Sequence, residues 1–155
     1  MRDARSQPHP VPASDKPLGE VAPVLLYDGI CGLCNSAVQT ILRFDRHGSL
    51  QFAALDSDVA RAVIARHPPL ADVDSVVFVD GLNQHDERAT VKSAAALRVL
   101  DYLGGPWRVL LVAGLIPQRA RDWLYDGVAR TRYRIFGTHD TCPVPAPEVR
   151  ARFLA

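Results

Sequence analysis

The chain has 155 residues and a formal net charge of +1, which suits one domain with a tail and is too short for two independent cores. With 48% apolar and 23% charged residues it has the composition of an ordinary globular protein, so disorder throughout and a nucleic-acid partner are both excluded as expectations. Residues 1–22 are polar and carry four prolines. They predict a disordered leader and lack the apolar centre of a secretory signal, which makes the cytoplasm the expected compartment.

From Pro23 onward the elements follow in order. Val24-Leu25-Leu26-Tyr27 is a short apolar run without alternation, the pattern of a strand buried on both faces. Leu33, Ala37, Val38, Ile41 and Leu42 recur at helical spacing, predicting a helix from Cys31 to His47 with Gly48 as terminator. Leu50–Leu55 predicts a second strand, and Asp56 or Ser57 can cap a helix that Pro68-Pro69 ends. Ser75–Val79 predicts a strand, with residues near Glu87 to Val91 returning antiparallel beside it. Ser93 is placed to cap a helix that Gly104-Gly105 ends, and further helices are expected over Trp107–Ile116 and Gln118–Ile135. Residues 138–149 read as a loop and Glu148–Leu154 as a last helical turn. The order is the minimal layout of an α/β thioredoxin-like sandwich, a layout that other small α/β sandwiches share, and it is expected as a single domain over residues 23–155 with a helical extension from about residue 106.

In a reducing compartment a close cysteine pair reads as redox-active or metal-binding rather than as a structural disulfide. Cys31 and Cys34 open the first helix, where unpaired backbone N–H groups and the helix dipole favour a thiolate. One helical turn of separation keeps their Cα atoms within the ~4.4–6.8 Å that a disulfide tolerates. Cys31 as attacking thiol and Cys34 as resolving thiol, at an exposed helix end, are therefore the natural roles. Asp28 is a poor thiolate stabiliser, because an ionised carboxylate ~6 Å away at an effective dielectric of ~20 disfavours the thiolate by ~3 kcal/mol. Two roles stay open for it: accepting the Cys34 proton, or capping the first helix.

These residues carry a resemblance. Tyr27-Asp28-Gly29-x-Cys31-x-x-Cys34 resembles the signature of the DCC family of thiol-disulfide oxidoreductases, named for Asp-x-x-Cys-x-x-Cys. Asp74–Val77, Lys92–Leu97, Arg132–Gly137, Cys142 and Arg152-Phe153 are similar to that family's segments in the same order, so the resemblance runs from about Pro23 to Leu154. It implies thiol-disulfide exchange on a protein or small-molecule substrate, no bound cofactor, and a separate reductant. Thioredoxin-type enzymes place a cis-proline before the strand that abuts the active site, and Val73-Asp74-Ser75 stands there instead. That departure implies that the usual substrate-docking backbone is absent or rebuilt.

A rival reading assembles Cys31, Cys34, His139 and Cys142 into a structural zinc site, since the two pairs have suitable local spacing. A third is a non-catalytic interaction module, in which Trp123, Leu124, Val128 and Ile135 with Arg119, Arg121, Arg130, Arg132 and Arg134 form an amphipathic surface. The expected disposition is the ordinary one, an apolar stripe on the core and a solvated basic face, with no membrane association. Arg132 and Arg134 could alternatively reach an anionic substrate or the sheet's carboxyl end. No glycine-rich phosphate loop or nucleophile elbow occurs, so nucleotide and ester chemistry find no support.

Overall fold

The structure, a computed structural model, describes residues 21–138 and 146–155. All of the expected leader but Val21 and Ala22 lies outside them, as do His139 and Cys142. The described chain runs β1 (Val24–Tyr27), α1 (Gly32–Phe44), β2 (Gln51–Ala54), α2 (Asp58–Arg66), β3 (Val77–Asp80), β4 (Arg88–Val91), α3 (Lys92–Leu103), α4 (Gln118–Phe136) and β5 (Phe153–Leu154). A 3-10 helix, Gly105–Leu115, joins α3 to α4.

The apolar run at Val24 forms a strand buried along its whole length because it lies at the centre of a five-stranded sheet of order β4-β3-β1-β2-β5. It pairs parallel with β2 and antiparallel with β3. Alternating side chains divide β1 between two cores. Leu25 and Tyr27 pack with Val38 and Ile41 of α1 and with Ala95 and Val99 of α3. Val24 and Leu26 pack with Ala60 and Val63 of α2 on the other face. Helices on both faces of this mixed sheet make the expected thioredoxin-like sandwich. The α1 crossover delivers the residues after Tyr27 to the sheet's carboxyl edge, where ligands and chemistry collect in such folds.

Four local expectations change. The stretch after Gly105 winds as a 3-10 helix rather than an α-helix, so Val109, Val112 and Leu115, three residues apart, eclipse one another. Ser93 does not cap α3, since its hydroxyl donates to Asp122 of α4 and no side chain caps that helix. The apolar residues of α4 face outward, so its expected core stripe is absent. The C-terminal helical turn is only a 3-10 turn, Arg150–Arg152, after which Phe153 and Leu154 add β5 parallel to β2.

Two residues of strand cannot hold themselves, and β5 is fixed by Arg152 and Phe153. The Phe153 ring stacks on Phe52 at 5.3 Å between centroids. The Arg152 guanidinium donates to the Leu50 carbonyl at 2.8 Å and pairs with Asp45, whose side chain is fully buried. Asp45 also accepts from the His47 and Gly48 N–H groups at 3.0 and 2.9 Å and from the Tyr102 hydroxyl at 3.2 Å. Removing one partner of a buried ion pair strands the other, so Arg152→Met should lower stability by about 3–5 kcal/mol in chemical denaturation.

Candidate active site

Asp28 follows β1 and starts a tight loop. Its Oδ1 accepts the Ile30 N–H at 3.0 Å, a local Asx turn, and its carbonyl accepts the Cys31 N–H at 3.3 Å. Asn35, in the first turn of α1, reaches back to the Gly29 carbonyl at 2.8 Å. The loop is thereby held at both ends before either cysteine is placed.

Cys31 sits one position before α1, in extended conformation, and its sulfur accepts the Cys34 N–H at 3.4 Å. The helix cap is therefore the first cysteine, which displaces Asp28 from the capping role. A thiolate at this point accepts that hydrogen bond more strongly than a thiol does. Cys34 lies one turn further on, with its backbone N–H on the Cys31 sulfur. Both are free thiols. Burial, the hydrogen bond to Cys31 and the negative charge there push the Cys34 thiol up to about 12, against the opposing pull of Arg132 and the Asp28 backbone.

The pair is not at an exposed end. Cys31 has no accessible surface and Cys34 only 7%. The cause is the turn after α4: Gly137, at φ +72°, sends the chain back so that Thr138 bridges antiparallel to Cys31 and the Gly137 carbonyl accepts the Gly32 N–H at 3.2 Å. The same approach explains Gly32, since a Cβ there would come within 2.3 Å of the Phe136 carbonyl oxygen.

Arg132 enters from α4 with 3% of its side chain exposed. It pairs with Asp28 at 3.3 Å and with Asp74 at 2.5 Å, and donates to the Asp74 carbonyl at 3.2 Å and the Tyr133 hydroxyl at 2.9 Å. The Tyr133 hydroxyl in turn donates to Asp28. Burial opposes the Arg132 charge, but the hydrogen bonds to Tyr133 and Asp74 hold it above the usual arginine range. Burial and the bond to Asp28 also raise the Tyr133 phenol. Nearby, the Tyr125 hydroxyl accepts the Val76 N–H at 3.2 Å. The segment where thioredoxin-type enzymes carry their proline is thus pinned from α4 through Asp74 and Val76.

Asp28, Cys31 and Cys34 lie together on the loop and first turn of α1, and Arg132 reaches the sheet's carboxyl end whereas Arg134 is exposed. The other two members of the zinc set lie outside the described residues, and among the described residues no three metal-ligating side chains gather. Tyr125 was not singled out by the sequence, and Tyr133 stood only within the family-like segment Arg132–Gly137. The available signal was a polar stripe at Asp122, Tyr125 and Arg132, spaced by three and seven along α4.

The family profile described as DCC1-like thiol-disulfide oxidoreductase matches residues 25–138. YuxK of Bacillus subtilis (strain 168), described as an uncharacterized protein, is 37% identical over 132 residues, which cover 84% of this chain and 93% of YuxK. A DCC family protein of Arabidopsis thaliana, described as chloroplastic, is 34% identical over 122 residues, covering 77% of this chain and 68% of that protein. No solved structure matches.

The raised Cys34 thiol ties stability to pH. In the reduced protein an unfolded Cys34 ionises near its ordinary 9.0 while the folded one holds its proton to about 12. The unfolded chain loses this proton first, so stability falls as pH rises through that window. Cys34→Ala should flatten this alkaline slope in denaturation curves collected at successive pH values.

Proposed function

Since the chain belongs to the DCC1-like thiol-disulfide oxidoreductase family, we propose that Cys31 and Cys34 form its redox couple. The observation that carries this reading is the Cys31 sulfur accepting the Cys34 N–H at 3.4 Å, one turn from the second thiol. The Cys31 thiolate attacks a substrate disulfide, forming a mixed disulfide and releasing one substrate thiolate. Cys34 then loses its proton and attacks the Cys31 sulfur, closing the Cys31–Cys34 disulfide and releasing the second substrate thiolate. The substrate disulfide is reduced by two electrons and the dithiol is oxidised by two, to be restored by a partner thiol in a reducing compartment such as the cytoplasm.

A thiol held at about 12 does not ionise unaided near neutral pH, so the resolving step needs a base. Asp28 is assigned that role: its carboxylate, held by Arg132 and the Tyr133 hydroxyl at the start of the cysteine loop, accepts the Cys34 proton as the disulfide closes. Access to Cys31 requires the Gly137–Thr138 strap to move aside, because no part of that residue meets solvent while the strap is paired. The burial of both sulfurs favours a second reading, a non-catalytic module in which they serve only as packing.

Titration against defined glutathione ratios separates the two. The redox reading expects a reversible intramolecular couple, and Cys34→Ser should accumulate a mixed disulfide on Cys31 detectable by mass spectrometry; absence of both leaves the packing reading. Asp28→Asn should slow closure of the disulfide by roughly 100-fold, the low end of a general base's contribution, with the first attack unchanged.

The strap has its own test. In a Cys34→Ser, Cys142→Ser background, Gly32→Ala should speed alkylation of Cys31 by at least about tenfold, equivalent to ~1.4 kcal/mol of easier local opening. An unchanged rate would show that the strap does not control access.

A further inference from the structure

Helix α4 is turned inside out relative to an ordinary surface helix. Its inward side is polar: Asp122 accepts from Ser93, Asp126 from Lys92 at 3.1 Å, Tyr125 from the Val76 N–H, and Arg132 enters the active site. Its outward side carries Trp123, Leu124 and Ile135, exposed by 77%, 63% and 68%. The neighbouring corner of the 3-10 helix adds Leu115, exposed by 85%, and Ile116. Of thirteen exposed large apolar side chains among the described residues, ten fall between Val109 and Phe136. Clustering of this kind, unlike scattered exposure, marks an interaction surface.

Charge identifies the occupant. Between residues 106 and 137 there are six arginines against two aspartates, in a chain whose net charge is +1. Both aspartates are bonded inward, Arg108 pairs with Asp101 and Arg132 with Asp28 and Asp74. Arg119, Arg130 and Arg134 remain on the exposed side with no carboxylate partner among the described residues. A symmetric contact with a second copy would bring those like charges together. No described helix is long and apolar enough to cross a membrane, so a lipid contact here is interfacial.

We propose that the outer face of α4, with the adjoining corner of the 3-10 helix, docks on a bilayer surface rich in anionic phospholipid. Trp123, Leu124 and Leu115 enter the boundary between headgroups and acyl chains, and Arg119, Arg130 and Arg134 pair with lipid phosphates. The absence of membrane association expected from sequence rested on this stripe facing the core, and it faces the other way.

Co-sedimentation of the full chain with vesicles tests the proposal, using phosphatidylcholine alone or mixed with phosphatidylglycerol. Expected are binding to the mixed vesicles that weakens as salt rises, and a blue shift of Trp123 emission in a Trp107→Phe background. Arg130→Glu with Arg134→Glu should weaken binding by at least about thirtyfold, as loss of two cations worth roughly 1 kcal/mol each requires. Trp123→Ser with Leu124→Ser should abolish it, with thermal unfolding of the free protein unchanged. The proposal is overturned if the mixed vesicles bind no protein, or if both vesicle types bind equally and the arginine changes do nothing. A concentration-dependent dimer of the free protein that disappears in the Trp123/Leu124 variant would also overturn it, assigning the face to a second copy.

Discussion

A guanidinium with 3% of its side chain exposed has to be neutralised where it stands, because an uncompensated buried charge costs several kcal/mol. Arg132 meets that requirement with two carboxylates from different loops, Asp28 after β1 and Asp74 before β3, together with the Tyr133 hydroxyl. The segments flanking the cysteines are therefore tied to one side chain of α4. This connection reaches from residue 132 to residues 28 and 74, and it makes the helical extension a part of the site rather than an appendage.

That arrangement sets the two thiols apart. Cys31 is paired with backbone: its sulfur accepts an amide hydrogen and its chain bridges Thr138. Cys34 is governed by burial, which outweighs the attraction of the nearby Arg132 charge and holds the thiol at about 12. The first sulfur is thus held by backbone contacts at the start of α1, and the second is set by its burial. The site is also closed by its own chain. Gly137 and Thr138 occupy the backbone groups around Cys31, and Tyr125 occupies the Val76 N–H, so polar groups open to a substrate backbone elsewhere in such folds are already used.

The first half of the fold was legible because its signals are local. Four consecutive apolar residues at Val24, Ser57 as the cap of α2, and the apolar face of α1 each act within a few residues. The dithiol was legible for the same reason, as spacing alone puts Cys34 one turn from Cys31. What escaped depends on distant partners. β5 is two residues long and exists because Arg152 finds Asp45 more than a hundred positions away. Ser93 has the composition of a cap, but Asp122 competes for its hydroxyl and wins. The burial of Cys31 follows from the turn at Gly137, which no pattern around the cysteines contains.

The orientation of α4 follows from the same dependence. A helix of 19 residues whose inward positions go to Asp122, Tyr125, Asp126 and Arg132 has its apolar side chains left for the opposite side. Periodicity reports that two faces differ and is silent on which one is inside; burying the apolar face is the usual resolution because it is usually the favourable one. Here the charges of Asp28 and Asp74 reverse it, since satisfying a buried Arg132 fixes the helix about its axis. The exposed tryptophan and leucine on the outer surface are thus a geometric consequence of the polar bonds made beside the cysteines. A single rotation of α4 decides both what reaches the dithiol and what the protein presents to its surroundings.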